Sequence, residues 1–177
     1  DRLAGTPAGR TVIARAEELL ETPFPATSEA LYRRYDETGN RTDWERVNRP
    51  RRARLTTLTL AECLDNRGRF LPALEHAALA ICAEPTWLMP AHDRNLRNLE
   101  GRQIDIDLAS SDLAATFAMM DYLLGDRLSA ETRQRLRTRV DVRVLQPFFA
   151  MTGTDRKPNW WLHSTNNWNA VCLANIL

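Results

Sequence analysis

Apolar residues recur at three- and four-residue spacing along most of this sequence, and no segment alternates apolar with polar residues between Asn-Gly or Asp-Gly turns. A period near 3.6 builds a helix with one buried stripe, whereas a half-buried strand needs a period of 2. This patterning confines the chain to an all-α fold. Glycine is scarce, at 7 of 177 residues, which also counts against an all-β or loop-rich fold.

The periodic segments can be placed one by one. Residues 11–21 carry Val12, Ile13, Ala16, Leu19 and Leu20 and stop at Pro23 and Pro25. Residues 28–35 form a short amphipathic piece with Ser28 as its cap. Residues 38–50, holding Gly39 and Trp44, look polar and turn-like. Residues 51–64 place Leu55, Leu58 and Cys63 among small side chains, and Asn66-Arg67-Gly68 closes that helix. Residues 69–83 continue with Phe70, Leu74, Ala77, Ala78 and Ile81. Residues 87–107 are irregular. Leu108–Leu124 is the strongest helical pattern, with Leu113, Phe117 and Met120, and it stops at Gly125. Ser129 opens the next helix, which runs through Leu136, Val140 and Val144 to about Phe149, ahead of a polar loop at 152–158. Short loops favour antiparallel neighbours, so 51–64 with 69–83 and 108–124 with 129–149 are expected to form α/α hairpins. The last helix, capped by Ser164 or Thr165, runs NNWNAVCLANIL with no Gly, Pro or charge to end it. That pattern predicts an N-terminal portion of a longer protein.

Charge excludes some functions. The chain has 24 Lys+Arg against 23 Asp+Glu, and Lys157 is its only lysine. A net charge of +1 is too small for a bulk polyanion-binding surface but leaves room for a local basic site. Arg49, Arg51, Arg52 and Arg54 form such a cluster, either a solvated face or a contact to an acidic polymer. No concentrated basic helix points to nucleic acid. No apolar run reaches the roughly 18 residues of a membrane span. Cys63, Cys82 and Cys172 lack metal-ligand or disulfide spacing and are expected to be small buried hydrophobes. The GxSxG, HExxH, P-loop and dinucleotide patterns are absent. The first residue is Asp1 rather than Met, and a removed signal peptide would leave such a start; a periplasmic or secreted location is favoured slightly over a cytoplasmic one.

Two segments concentrate rare residue types: 87–93, Trp-Leu-Met-Pro-Ala-His-Asp, and 159–169, Asn-Trp-Trp-Leu-His-Ser-Thr-Asn-Asn-Trp-Asn. A helix starting near Thr165 puts Asn166, Asn167 and Asn169 around its first turn, where free N–H groups and the helix dipole favour an anion. His163 precedes the cap and can reach the same place. Trp161 and Trp168 suit an aromatic wall. Amide donors beside an aromatic wall fit a sugar ring bearing a carboxylate. The alternative is that the asparagines only cap the helix and the tryptophans are core. In the first segment, Trp87 with His92-Asp93 combines a loop aromatic and an adjacent titratable pair; the alternative is an aromatic plug, with Asp93 capping or paired to an arginine. His76 lies on an apolar helix face and is expected to be structural.

The run NWWLHSTNNWNAVCLANIL resembles the motif region of the heparinase II/III-like polysaccharide lyases, which include oligoalginate lyases. In that family a helix opening with Asn-Asn-His or Asn-Asn-Trp-Asn faces the catalytic cleft. The upstream AICAEPTWLMPAHD and IDIDLASSDLAATFAMMDYLLGDRLS are also similar, so the likeness spans roughly residues 50–177. It implies α/α hairpins forming part of an incomplete (α/α) toroid, followed by β-sheet domains beyond this segment. It implies an acidic polysaccharide or oligosaccharide as partner and β-elimination at a uronic acid as the reaction. Donors on the sugar carboxylate stabilise an enolate-like intermediate, a Tyr or His removes the C5 proton, and a Tyr protonates the leaving oxygen.

Carried onto this sequence, Asn167 matches the Asn that neutralises the carboxylate, with Asn166 as the register alternative. Trp168 stands where several family members have a catalytic His, so the base falls to His163 or to a residue beyond Leu177. Trp87 and His92 become candidates for sugar contact, beside Trp161, Trp168 and Asn169. The resemblance implies no cofactor in this segment and leaves any metal to a downstream domain. The segment alone is expected to be inactive. One rival is a glycoside hydrolase on a similar toroid, which needs two carboxylic acids at cleft distance; Asp93, Asp105, Asp107 and Asp112 are its candidates. The other is a non-catalytic helical domain that binds a polysaccharide or a protein.

Overall fold

The computed structural model describes residues 2–153 and 159–177. Every regular element among them is helical. The α-helices are α1 (Pro7–Glu21), α2 (Glu29–Thr38), α3 (Thr42–Asp65), α4 (Leu71–Cys82), α5 (Leu108–Leu124), α6 (Ala130–Val140), α7 (Gln146–Thr152) and α8 (Asn167–Ile176). Short 3₁₀ turns at Pro90–His92, Arg94–Leu96, Gly125–Arg127 and Trp160–His163 punctuate the connections, and a π-helical turn, Asp141–Leu145, joins α6 to α7.

Local chemistry sets most of these boundaries. Ser28, Asp107 and Ser129 each accept a backbone N–H from the first turn of the helix they open, which satisfies an otherwise orphaned donor. Asn66 ends α3 in the left-handed conformation (φ 56°), and its N–H returns to the Glu62 carbonyl. The expected turn at 38–50 is instead mostly helix. Asn40 Oδ1 accepts from Thr42 N (2.9 Å), acidic Asp43 and Glu45 occupy the first turn, and the helix runs through Pro50. Pro50 removes one ladder bond. Burial of Trp44, Asn48, Arg51 and Leu55 along the same side of α3 offsets that loss. The expected single helix at 129–149 is divided. Gln146 N–H reaches back five residues to the Asp141 carbonyl, and Pro147 restarts the helix at a position where its missing N–H costs little. The expected loop at 152–158 lies largely outside the described residues.

Helix α3 is the central element: it packs against α1, α4 and α5, and α5 in turn packs against α6 and α8. The core between them contains Leu55, Leu58, Phe70, Leu74, Ile81, Leu113, Phe117, Met120 and Leu136. Trp161, delivered by the 3₁₀ turn before α8, is fully buried in the same core.

The arginine cluster is not a solvated face. Arg51 and Arg54 are 4% and 5% exposed. Arg51 donates to Glu84 Oε1 (2.7 Å) and stacks over Phe24, and Arg54 donates to the Leu19 and Thr22 carbonyls (2.8 and 2.6 Å). Buried guanidinium groups need such partners, and here they tie α3 to the chain after α1. Only Arg49 behaves as expected, exposed and paired with Glu45. Two smaller expectations also change. Cys82 and Cys172 are buried but Cys63 is exposed. His76 is exposed on α4 and touches Phe24 edge-on.

Candidate functional site

The strap between α4 and α5 folds around two carboxylates. Asp107 caps α5, its Oδ1 accepting from Ser110 N at 2.7 Å. Its Oδ2 accepts from Met89 N at 3.0 Å and lies 2.7 Å from His92 Nδ1. A carboxylate that already accepts two backbone N–H groups acts as an acceptor toward the imidazole too. Nδ1 therefore donates to Asp107, which leaves Nε2 as the ring nitrogen not engaged by this carboxylate. The Asp107 side chain is 2% exposed and that of His92 20%. The buried partner thus fixes the ring of a solvent-accessible imidazole.

The second carboxylate points inward. Asp93 accepts from Asn98 N (2.8 Å), Leu99 N (2.9 Å), Asn98 Nδ2 (3.1 Å) and the Tyr32 hydroxyl (3.1 Å). Burial, reinforced by Asp93, pushes the Tyr32 hydroxyl far above its usual range, so it stays a neutral donor. The adjacent His92-Asp93 pair anticipated from sequence is therefore not a pair. The partner of His92 is Asp107, which the sequence marks only as a candidate carboxylic acid for a hydrolase.

The chain after residue 159 brings aromatic surface to this imidazole. Trp168 meets His92 edge-on, with ring centroids 4.6 Å apart, and Trp160 lies 4.9 Å from Trp168. Trp160 is 57% exposed and Trp168 is half-buried. The aromatic wall thus consists of Trp160 and Trp168. Trp161 points into the core and donates its indole N–H to the Ile106 carbonyl (2.9 Å). Trp87 is likewise buried, donates to the Ile81 carbonyl (3.1 Å) and packs on Phe117. Neither Trp87 nor Trp161 offers a ring face to a sugar, which corrects their reading as contact residues. In a tight 3₁₀ turn two successive side chains diverge, so of the Trp160-Trp161 pair only one enters the core.

No family model matches the chain, and no curated protein matches it.

The asparagines divide in the same way. Asn166, rather than Ser164 or Thr165, caps α8, and its Oδ1 accepts from Trp168 N at 3.0 Å. Asn169 donates to the Trp161 and Leu162 carbonyls at 3.3 and 2.8 Å, which clamps the 3₁₀ turn to α8. Asn167 is exposed, and its side chain makes no hydrogen bond among the described residues. His163 is exposed at the end of the 3₁₀ turn. Of the four carboxylates weighed for a hydrolase, Asp112 is exposed on α5 without a hydrogen-bond partner among the described residues, and the other three are hydrogen-bonded within the fold. Asp93 and Asp107 are bonded as above, and Asp105 accepts from Asn98 (2.9 Å) and Gln103. Among the described residues no group of His, Cys, Asp and Glu is arranged to hold a metal ion, and no helix is long and apolar enough to cross a membrane.

Proposed function

We propose that the chain forms part of a heparinase II/III-like polysaccharide lyase that cleaves a uronate-containing saccharide by β-elimination. The observation that carries this reading is the division of labour at the start of α8. Asn166 and Asn169 are engaged in folding, whereas Asn167 keeps a free amide beside Trp168, which rests on the carboxylate-held His92. Trp160 and Trp168 receive the sugar ring, and the Asn167 amide hydrogen-bonds its carboxylate. That contact stabilises the enolate-like charge that develops when the C5 proton leaves. Nε2 of His92, on a ring oriented by Asp107, contacts the same sugar. His163 or a residue beyond Leu177 supplies the base. In this reading the α3/α4 and α5/α6 pairs are hairpins of an incomplete (α/α) toroid, and the protein acts in the periplasm or after secretion.

Incubation of the full-length protein with heparan-type, alginate and other glucuronate polymers tests the reading. The expected product carries a new carbon–carbon double bond conjugated to the carboxylate, which appears as ultraviolet absorbance. New reducing ends without that absorbance identify a hydrolase instead. Binding without cleavage identifies a non-catalytic carbohydrate-binding domain.

A further inference from the structure

A separate cleft of about 210 Å³ opens between the strap and the α6–π-turn region. Its charged and polar lining includes Arg139, Arg143, Asn98, Gln103 and Asp105, with Ile104 as an exposed apolar residue. Arg143 is held rigidly: its Nη2 donates to the Glu84 and Pro85 carbonyls, and its guanidinium lies 5.1 Å from the Trp87 ring centroid. Its remaining N–H groups, and the whole guanidinium of Arg139, have no partner among the described residues.

The cations around this point outnumber their carboxylates. Arg51 and Arg52 both pair with Glu84, and Arg52 Nη1 is buried with no partner. Burial first, then Arg139 and, more weakly, Arg52, push the Arg143 guanidinium down to about 10, against the opposing pull of Glu84. Fixed donors with excess positive charge favour an oxyanion, and the planar guanidinium fork matches a carboxylate in two-point contact. Asn98 spends both amide N–H groups on Asp93 and Asp105, whereas Gln103, which donates one N–H to Asp105, keeps a second, and Asp105 keeps lone pairs of the kind that bond hydroxyls. The cleft is smaller than the roughly 300–1,000 Å³ of drug-sized pockets, which suits one small ring. Arg143 sits in a π-helical turn, a feature that recurs at functional sites.

We propose that this cleft is a second saccharide subsite, which takes the carboxylate of one uronate residue on Arg139 and Arg143 and its hydroxyls on Gln103 and Asp105. The choice of a uronate rests on the function proposed above. The full-length protein, carrying His92→Ala to weaken the first site, is titrated calorimetrically with glucuronate, glucose and inorganic sulfate. Glucuronate is expected to bind more tightly than glucose or sulfate. Adding Arg139→Gln is expected to weaken it about tenfold, the size of a lost charged hydrogen bond. Arg139 makes no hydrogen bond among the described residues, so the melting temperature should not move. Glucuronate affinity indifferent to Arg139→Gln overturns the proposal, as does sulfate binding as tightly as glucuronate. Arg139-dependent glucuronate binding in a protein that generates no double-bond absorbance supports the subsite and rejects the lyase.

Discussion

His92 Nδ1 sits 2.7 Å from Asp107 Oδ2, although the two residues are 15 positions apart. The same carboxylate opens α5 through its capping box with Ser110. One buried group therefore starts a core helix and orients an accessible imidazole. The imidazole is thereby tied to the first turn of a core helix.

Asp107→Asn separates these two tasks. Asparagine caps a helix as well as aspartate does, so α5 should keep its start and the protein should fold. The amide no longer supplies a charged acceptor to Nδ1–H, and the tautomer and orientation of His92 are released. If the proposed lyase reading holds, His92 contacts the sugar and does not take the proton, so kcat/KM for double-bond formation by the full-length protein should fall about tenfold. A rate equal to that of the parent, in a variant with the parent's circular dichroism, would remove this pair from the mechanism.

Much of the fold was legible because local signals and burial agree. Leu108–Leu124, its stop at Gly125, the Ser28 and Ser129 caps and the Asn66 terminus lie where sequence chemistry puts them. Legibility ended where tertiary contacts override local preference. Thr42–Arg49 is polar, and Pro50 follows it, yet Trp44 and Asn48 are drawn into the interior and the segment is helical. The arginines at 51 and 54 look exposed by type but are buried against Glu84 and backbone carbonyls distant in sequence. At the candidate site the two segments rich in rare residue types meet, at His92 and Trp168. The residue types did not say which of Trp160 and Trp161 faces outward, because that depends on a single turn of 3₁₀ helix. Nor did they reveal Asp107 as the partner of His92, since that contact closes only when the strap folds.

Glu62 is fully buried at the end of α3. It accepts from Gly68 N (2.7 Å) and Phe70 N (3.1 Å) and pairs with Arg127, which also donates to Asn66. It thereby secures the turn into α4 and connects it to the turn after α5. Glu62→Ala leaves a guanidinium and two N–H groups without their acceptor and should cost about 3–5 kcal/mol. Urea unfolding measures this. A loss below about 1 kcal/mol would mean that water replaces the carboxylate without penalty.

Asp121 on α5 accepts from Arg133 Nε (3.0 Å) and Arg137 Nε (2.7 Å) of α6. Burial alone would raise its carboxyl, but the hydrogen bonds from Arg137 and Arg133 outweigh burial and hold it below the usual range. A depressed folded pKa stabilises the fold above the unfolded value of about 3.9, and that contribution is lost as pH falls through the folded value. Asp121→Asn should therefore cost roughly 1 kcal/mol or less at neutral pH. The difference from the parent should shrink to nothing in acid. A gap of constant size from pH 7 down through the acid range would place the effect in packing rather than charge.

Trp161 and Trp168 belong to neighbouring turns and are expected to fail in opposite ways. Trp161→Phe keeps most of the buried ring but leaves the Ile106 carbonyl without its donor, at about 1–3 kcal/mol. Thermal unfolding should record that loss, while saccharide affinity in the folded protein stays near the parent value. Trp168→Ala strips the ring that lies between His92 and Trp160. Because Trp168 is only half-buried, the stability loss should be nearer 1 kcal/mol. Its effect should fall on binding, with affinity for acidic oligosaccharide about tenfold weaker, as expected when an aromatic stacking partner is lost. If instead Trp161→Phe weakens binding and Trp168→Ala does not, the sugar is held elsewhere and the Trp160–Trp168 wall is only packing.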